Sequence, residues 1–183
     1  MPTITSFPTS EALADPRPLI VTALLEPVTQ ARFESLRRAH FPPERNHIPA
    51  HLTLFHHLPG SELAAIRLRL KRLAGEYPPP AATVASVQYT GNGVSFRLHS
   101  PELDAVRADL ADAWATLLIP QDRNGFRPHV TVQNKVVATV ARDTHRQLAA
   151  AFAPWPTRVV ALALWRYLGG PWEPLGHVAF RGR

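Results

Sequence analysis

The chain contains no cysteine and only two lysines, Lys71 and Lys135, among its 183 residues. The lack of cysteine excludes disulfide bonds, thiolate zinc sites, iron–sulfur clusters and a cysteine nucleophile. Any chemistry must therefore come from serine, threonine, histidine and the acidic residues.

Long hydrophobic runs are missing as well. The longest, Val159–Trp165, is far shorter than the ~20 residues that cross a bilayer. The first ten residues hold neither a basic segment nor a long apolar one, which argues against a secretory signal. We therefore expect a cytoplasmic protein without a membrane segment. Its 20.3 kDa suit one compact domain, residues 1–183, and we expect a monomer.

Basic residues outnumber acidic ones, with 20 Lys+Arg against 14 Asp+Glu and a net charge of +6. Such an excess suits a polyanionic partner such as RNA. Because nearly all the basic residues are arginines and the chain is rich in alanine and proline, a coding bias explains part of the excess equally well.

Strand-like and helix-like segments alternate along the chain, which predicts an α+β fold with outer helices over antiparallel-rich sheets. Residues 1–17 read as a loose leader, and Tyr77–Pro80 reads as a connector between two lobes. Ser61 is expected to begin a helix and Gly75 to end it. Strands are expected at 19–25, 51–57, 82–89, 94–99, 127–133, 157–168 and 175–181, and the other helices at 27–40, 101–117 and 140–152.

The most informative feature is an internal repeat of the pattern His-apolar-Thr-apolar. It occurs at His51–Leu54 and again at His129–Val132, 78 positions later. Each copy lies in a strand-like segment that follows a helix and a loop and precedes another helix. This spacing is too long for a solenoid repeat and suits two lobes related by a pseudo-twofold axis.

Strand geometry places the polar members of each copy on one face, because side chains alternate along a strand. We expect His51, Thr53, Phe55 and His57 on one face, with His56 on the other. In the second copy His129, Thr131, Gln133 and Lys135 share a face. If two lobes oppose each other, the two His/Thr pairs meet across a cleft.

Two histidines and two threonines suit phosphodiester chemistry without a metal. In-line displacement at phosphorus needs a base on the attacking oxygen and an acid on the departing one, and imidazole can serve as either near neutral pH. The threonine hydroxyls would hydrogen-bond the non-bridging oxygens of the phosphate. His51, Thr53, His129 and Thr131 are therefore the candidate catalytic residues.

The paired signatures resemble those of the two-histidine (2H) phosphoesterase superfamily, which includes bacterial 2′-5′ RNA ligases and RNA 2′,3′-cyclic phosphodiesterases. The resemblance covers about Leu19 to Phe180. It implies a bilobal pseudo-twofold fold with a central cleft, and cofactor-free hydrolysis of a 2′,3′-cyclic phosphate of RNA ends or nucleotides to a 2′-phosphate, reversed in some members as 2′-5′ RNA joining. Where the family commonly has a short Phe-Leu-Gly turn after the first signature, this chain has Phe55–Gly60 with two further histidines.

For hydrolysis we assign His129 as the base that activates water and His51 as the acid that protonates the departing 3′ oxygen, although the residues alone do not fix this direction. Arg127, two positions before His129, is a candidate phosphate clamp. Further candidates for substrate binding are Phe55, which would stack a base if it is not core, and Gln133, Lys135 and Tyr167.

Two alternatives stay open at this point. His47, His51, His56 and His57 suggest a metal site, yet no helical histidine pair or flanking carboxylate accompanies them, and we expect no metal. The second alternative is a non-catalytic RNA- or nucleotide-binding module that uses the same cleft. A binding module needs no pair of proton-transfer groups, so the duplicated histidines favour an enzyme.

Overall fold

The computed structural model describes residues 15–183; residues 1–14, most of the expected leader, lie outside the described residues. The strands are β1 (Leu19–Leu25), β2 (Leu52–Leu58), β3 (Ala81–Tyr89), β4 (Val94–His99), β5 (His129–Gln133), β6 (Trp155–Tyr167) and β7 (Trp172–Ala179). The helices are α1 (Pro27–His40), α2 (Leu63–Glu76), α3 (Pro101–Ala113), α4 (Pro120–Arg123) and α5 (Ala138–Ala150).

The predicted mixture of helices with an antiparallel-rich sheet is confirmed, and so is its order along the chain apart from the short α4. Helix α3 forms as its sequence predicts: the Ser100 hydroxyl accepts the N–H of Leu103 at 3.1 Å, and Pro101 occupies the first turn. Two local predictions are wrong. Ser61 lies in a 3₁₀ turn and caps no helix, and Gly75 lies inside α2.

All strand pairs are antiparallel, and the strands follow the order β1-β2-β5-β4-β3-β6-β7. Because β1 also pairs with β6, the six strands β1 to β6 close into a barrel. Strand β7 pairs with the second half of β6. The two strands that carry the His-apolar-Thr signatures, β2 and β5, are therefore direct neighbours in one sheet.

One main hydrophobic cluster joins buried side chains of all seven strands to those of α1, α2 and α3. Leu52 and Val130, the apolar residues between each histidine and threonine, belong to this core. Since all seven strands within residues 15–183 belong to one sheet, the division into two lobes with a connector at Tyr77–Pro80 stays a prediction. Within residues 15–183 we find no helix with the length and apolar character that a membrane crossing requires.

Residues 15–17 pass over the end of β2. An added Cβ at Gly60 would lie 2.2 Å from the carbonyl oxygen of Asp15, so this close approach of two backbones requires glycine. The Asp15 carboxylate in turn lies 3.3 Å from Nε of Arg166 on β6. The chain before β1 is thereby fixed against the turn that follows β2 and against β6.

Candidate active site

The register of β2 and β5 brings the two signatures together. Leu52 pairs with Val130 in an antiparallel ladder, so that His51 comes to lie beside Thr131 and Thr53 beside His129. Leu52 and Val130 point into the core, and the four polar side chains therefore share the opposite face. An antiparallel pair has a local twofold axis, which relates one His/Thr pair to the other. The two pairs therefore meet side by side on adjacent strands.

Each histidine is fixed by the same backbone contact. Nδ1 of His51 lies 2.8 Å from the carbonyl oxygen of Pro49, and Nδ1 of His129 lies 2.8 Å from that of Arg127. A carbonyl oxygen can only accept, so Nδ1 carries the proton in both rings. Nε2 is then the atom of each ring that is free to take or give a proton.

Helix α1 holds the backbone around the first histidine. The Glu34 carboxylate accepts the N–H of Ala50 at 2.7 Å, and the buried Arg37 guanidinium donates to the carbonyl oxygens of Ile48 and Thr131. Arg37 thus connects the approach to β2 with the middle of β5. Its three hydrogen-bonded groups, which also include the Asn46 side chain, place the two strands relative to each other.

The four polar side chains open into a cleft of about 370 Å³. Two more histidines of β2, His56 and His57, also line it. Among the described residues that line the cleft, only the histidines can carry a positive charge. The other lining residues are Pro18, Ile20, Ile119, Gln121, Tyr167 and Trp172. The cleft therefore combines imidazoles and hydroxyls with an apolar, partly aromatic wall.

His51 lies deeper in this cleft than His129, whose side chain is exposed. The pKa of His51 is lowered to about 4, mainly by burial; the hydrogen bond to Pro49 acts in the opposite direction, and the positive charges of Arg37, His129 and His56 add to the lowering. The Trp172 ring contributes to this burial, with its centroid 4.8 Å from that of His51. In the ligand-free protein His51 is therefore neutral at pH 7.

The same two signatures lie within a known family pattern. The model of the 2′-5′ RNA ligase superfamily matches residues 25–171, most of the chain and both signatures. The chain belongs to the 2′-5′ RNA ligase superfamily. This membership confirms the resemblance to the 2H phosphoesterases and makes the protein one of a group of phosphoesterase and RNA ligase enzymes. A search of curated protein sequences found no match.

Solved structures share the fold of this superfamily member. TT0787 of Thermus thermophilus superposes with a TM-score of 0.60 at 20% identity, and E. coli LigT in complex with 3′-AMP with 0.54 at 22%. A protein described as a phosphoesterase superposes with 0.53 at 22%. Each comparison covers 91% of this chain and 99% of the other. At these identities the likeness establishes the fold.

Beyond the first signature, the alternation predicted for β2 is wrong. Relative to β1, β2 carries an extra residue at two points, since Thr22, Val21 and Leu19 pair with Thr53, Phe55 and Leu58. These β-bulges interrupt the alternation, so that Leu54 and Phe55 are both buried and His56 and His57 both face the cleft. Phe55 packs edge-on against Trp114 under the Arg107 guanidinium and is a core residue, not a base-stacking one.

Three other predicted binding residues do not line the cleft. Gln133 is buried and donates from Nε2 to the Thr144 hydroxyl on α5, which covers this end of β5. Lys135 follows the end of the strand in a left-handed turn with φ of 60°, so the alternation no longer applies to it. Arg127 precedes the strand, and its exposed side chain is absent from the cleft wall; its contribution is the carbonyl that fixes His129. Tyr167 does line the cleft.

Sequence reasoning missed three residues near the site. Arg97 pairs with His129 across β4 and β5 and so lies on the same face of the sheet. Trp172 is the cross-strand partner of Tyr167 and packs on His51. Asp122, buried on α4, accepts the ring N–H of His56. No sequence pattern marks them, because each reaches the site only through pairing with a distant segment.

The histidines of the cleft do not form a metal-binding cluster. Within residues 15–183, no group of three or more histidine, aspartate or glutamate side chains is arranged to hold a metal ion.

Proposed function

We propose that this protein is a phosphodiesterase that hydrolyses the 2′,3′-cyclic phosphate of RNA ends or nucleotides to a 2′-phosphate, and that the same site can join RNA through a 2′-5′ linkage in the reverse direction. The observation that carries the proposal is the Leu52–Val130 register, with two His/Thr pairs side by side and each Nδ1 held by a carbonyl. The superfamily match supports the same class of reaction.

The cyclic phosphate would lie over the two signatures. The hydroxyls of Thr53 and Thr131 would donate hydrogen bonds to its non-bridging oxygens, and Nε2 of each histidine would face one of the two oxygens that exchange at phosphorus. Water forms a new P–O bond while the bond from phosphorus to the 3′ oxygen breaks. One imidazole takes the proton of the water, and the other gives a proton to the 3′ oxygen.

The buried position of His51 supports a definite division of these roles. A neutral imidazole can accept a proton, and His51 is neutral in the ligand-free protein because its pKa is lowered to about 4. We therefore propose His51 as the base and His129 as the acid in hydrolysis, the reverse of the assignment made from the sequence. Arg97, which pairs with His129 across β4 and β5, would neutralise the phosphate in this proposal.

The aromatic wall supports a nucleotide substrate. Tyr167 and Trp172 pair across β6 and β7, and both line the cleft next to His51. Aromatic side chains stack on nucleobases without strong sequence preference, at about 1–3 kcal/mol per base. We propose that this pair holds the base of the terminal nucleotide. A cytoplasmic, monomeric protein remains the expectation.

The test is hydrolysis of adenosine 2′,3′-cyclic phosphate, followed by identification of the product. We expect a 2′-phosphate, and a loss of about 10²- to 10⁴-fold in kcat for His51→Ala and for His129→Ala with folding preserved. Wild-type-like turnover in both variants would overturn the proposal. Tight nucleotide binding without turnover on cyclic phosphates or 2′-5′ linkages would instead identify the non-catalytic binding module.

A further inference from the structure

A third histidine of the cleft is held in a way that the two-histidine reaction does not require. Nδ1 of His56 lies 2.8 Å from the Asp122 carboxylate, and the side chain of His56 is 44% exposed whereas that of Asp122 is 1% exposed. Within residues 15–183, His56 is the only side chain that hydrogen-bonds this carboxylate. The contact leaves Nε2 of His56 as the free nitrogen of a ring that lines the cleft.

Asp122 itself is built into the fold. The bulge in β2 frees backbone N–H groups from the ladder, and the carboxylate accepts those of His56 at 2.9 Å and His57 at 3.1 Å. Burial alone would raise the pKa of Asp122, but these hydrogen bonds and the His56 ring lower it. Arg107 fixes the same segment by donating to the carbonyl oxygens of Leu54 and Asp122. The His56 ring is therefore preoriented.

His56 lies outside the two signatures. It follows His51 by five positions and is held by Asp122, whereas His51 and His129 are held by the carbonyls of Pro49 and Arg127. The three rings are therefore separate contact points of one cleft. The charged and titratable groups around His56 are Asp122 and Arg107 on one side and His51, His57 and His129 on the other. None of those facing the cleft is an anion.

We propose that His56, oriented by Asp122, binds a second phosphate of the substrate, so that the cleft selects RNA ends, with their internal phosphodiester, over free cyclic mononucleotides. The proposal rests on the proposed function, because it takes the first phosphate to lie between His51 and His129. An imidazole between a buried carboxylate and a ligand phosphate gains from protonation on both sides. Nε2 of His56 would thus donate a charge-assisted hydrogen bond to the second phosphate.

The test compares two product-like ligands, adenosine 2′-monophosphate and adenosine 2′,5′-bisphosphate, by calorimetry near pH 7. We expect the wild type to prefer the bisphosphate by about tenfold or more. The His56→Gln variant should lose this preference and keep its affinity for the monophosphate within about twofold. The His57→Gln variant, matched in position but without a carboxylate partner for its ring among residues 15–183, should retain the ratio of the two affinities.

Three results would overturn the proposal: no preference for the bisphosphate in the wild type, an unchanged preference in His56→Gln, or an equal loss for both ligands in that variant. Its failure can be distinguished from that of the proposed function. Absence of cyclic phosphate hydrolysis together with a His56-dependent preference overturns only the proposed reaction. Hydrolysis without that preference overturns only the role of His56, and binding of neither nucleotide overturns both.

Discussion

Burial of His51 makes the folded protein sensitive to acid in a calculable way. An unfolded chain protonates this ring near its ordinary pKa of 6.5, and the folded protein protonates it only near pH 4. Between these values the unfolded state binds a proton that the folded state does not, so the free energy of unfolding decreases as the pH falls. This decrease in unfolding free energy is absent well above pH 6.5 and complete below pH 4. The interval from 6.5 to about 4 corresponds to roughly 3 kcal/mol.

Urea unfolding near pH 7.5 and near pH 4.5 measures this effect, with about 2–3 kcal/mol expected from His51 over that range. The change in unfolding free energy between the two pH values is compared for the wild type, His51→Gln and His129→Gln. His51→Gln removes the titrating ring, so its unfolding free energy should decrease on acidification by about 2–3 kcal/mol less than that of the wild type. His129→Gln removes an exposed ring with the same backbone contact, and it should resemble the wild type.

The contributions of other acid-sensitive groups to the unfolding free energy cancel in this comparison. Burial also lowers the pKa of His40, and hydrogen bonds lower that of Asp122, but both residues are present in all three proteins. If the wild type and His51→Gln lose the same free energy on acidification, His51 is hydrated in the folded protein. Its assignment as the neutral base would then lose its physical support.

Further substitutions test the rest of the site. The leaving group of bis(p-nitrophenyl) phosphate needs no general acid. On this substrate His129→Ala should have most of the wild-type activity, whereas His51→Ala should remain as impaired as on cyclic phosphates. Similar activity of the two variants would contradict the assignment of base and acid. Arg37→Met leaves three partly buried acceptors without their Arg37 donor and should cost about 3 kcal/mol in urea unfolding, with a near-neutral result refuting its structural role. Trp172→Leu should raise the KM for cyclic nucleotides about tenfold with a smaller change in kcat, and an unchanged KM would exclude base stacking there.

Local chemistry predicted most of the secondary structure. The apolar stripe and the Ser100-Pro101 start define α3, and the Phe41-Pro-Pro43 sequence ends α1 after His40, because these effects act within a few residues. The two faces of each signature could also be predicted, because strict alternation around Leu52 and Val130 separates a core face from a polar face. Prediction failed at Phe55 because a β-bulge depends on the partner strand β1, which the local pattern does not reveal.

The sequence by itself identified the groups that we propose to carry the chemistry: a cysteine-free chain with His51, Thr53, His129 and Thr131 in two matching strands. Tertiary structure decided how they meet. The β2–β5 register placed the two pairs side by side, burial beside Trp172 lowered the pKa of His51, and the Asp122 carboxylate oriented His56 in the same cleft. These features depend on pairing, burial and charge between segments far apart in the chain, and side-chain periodicity within one strand carries no information about them.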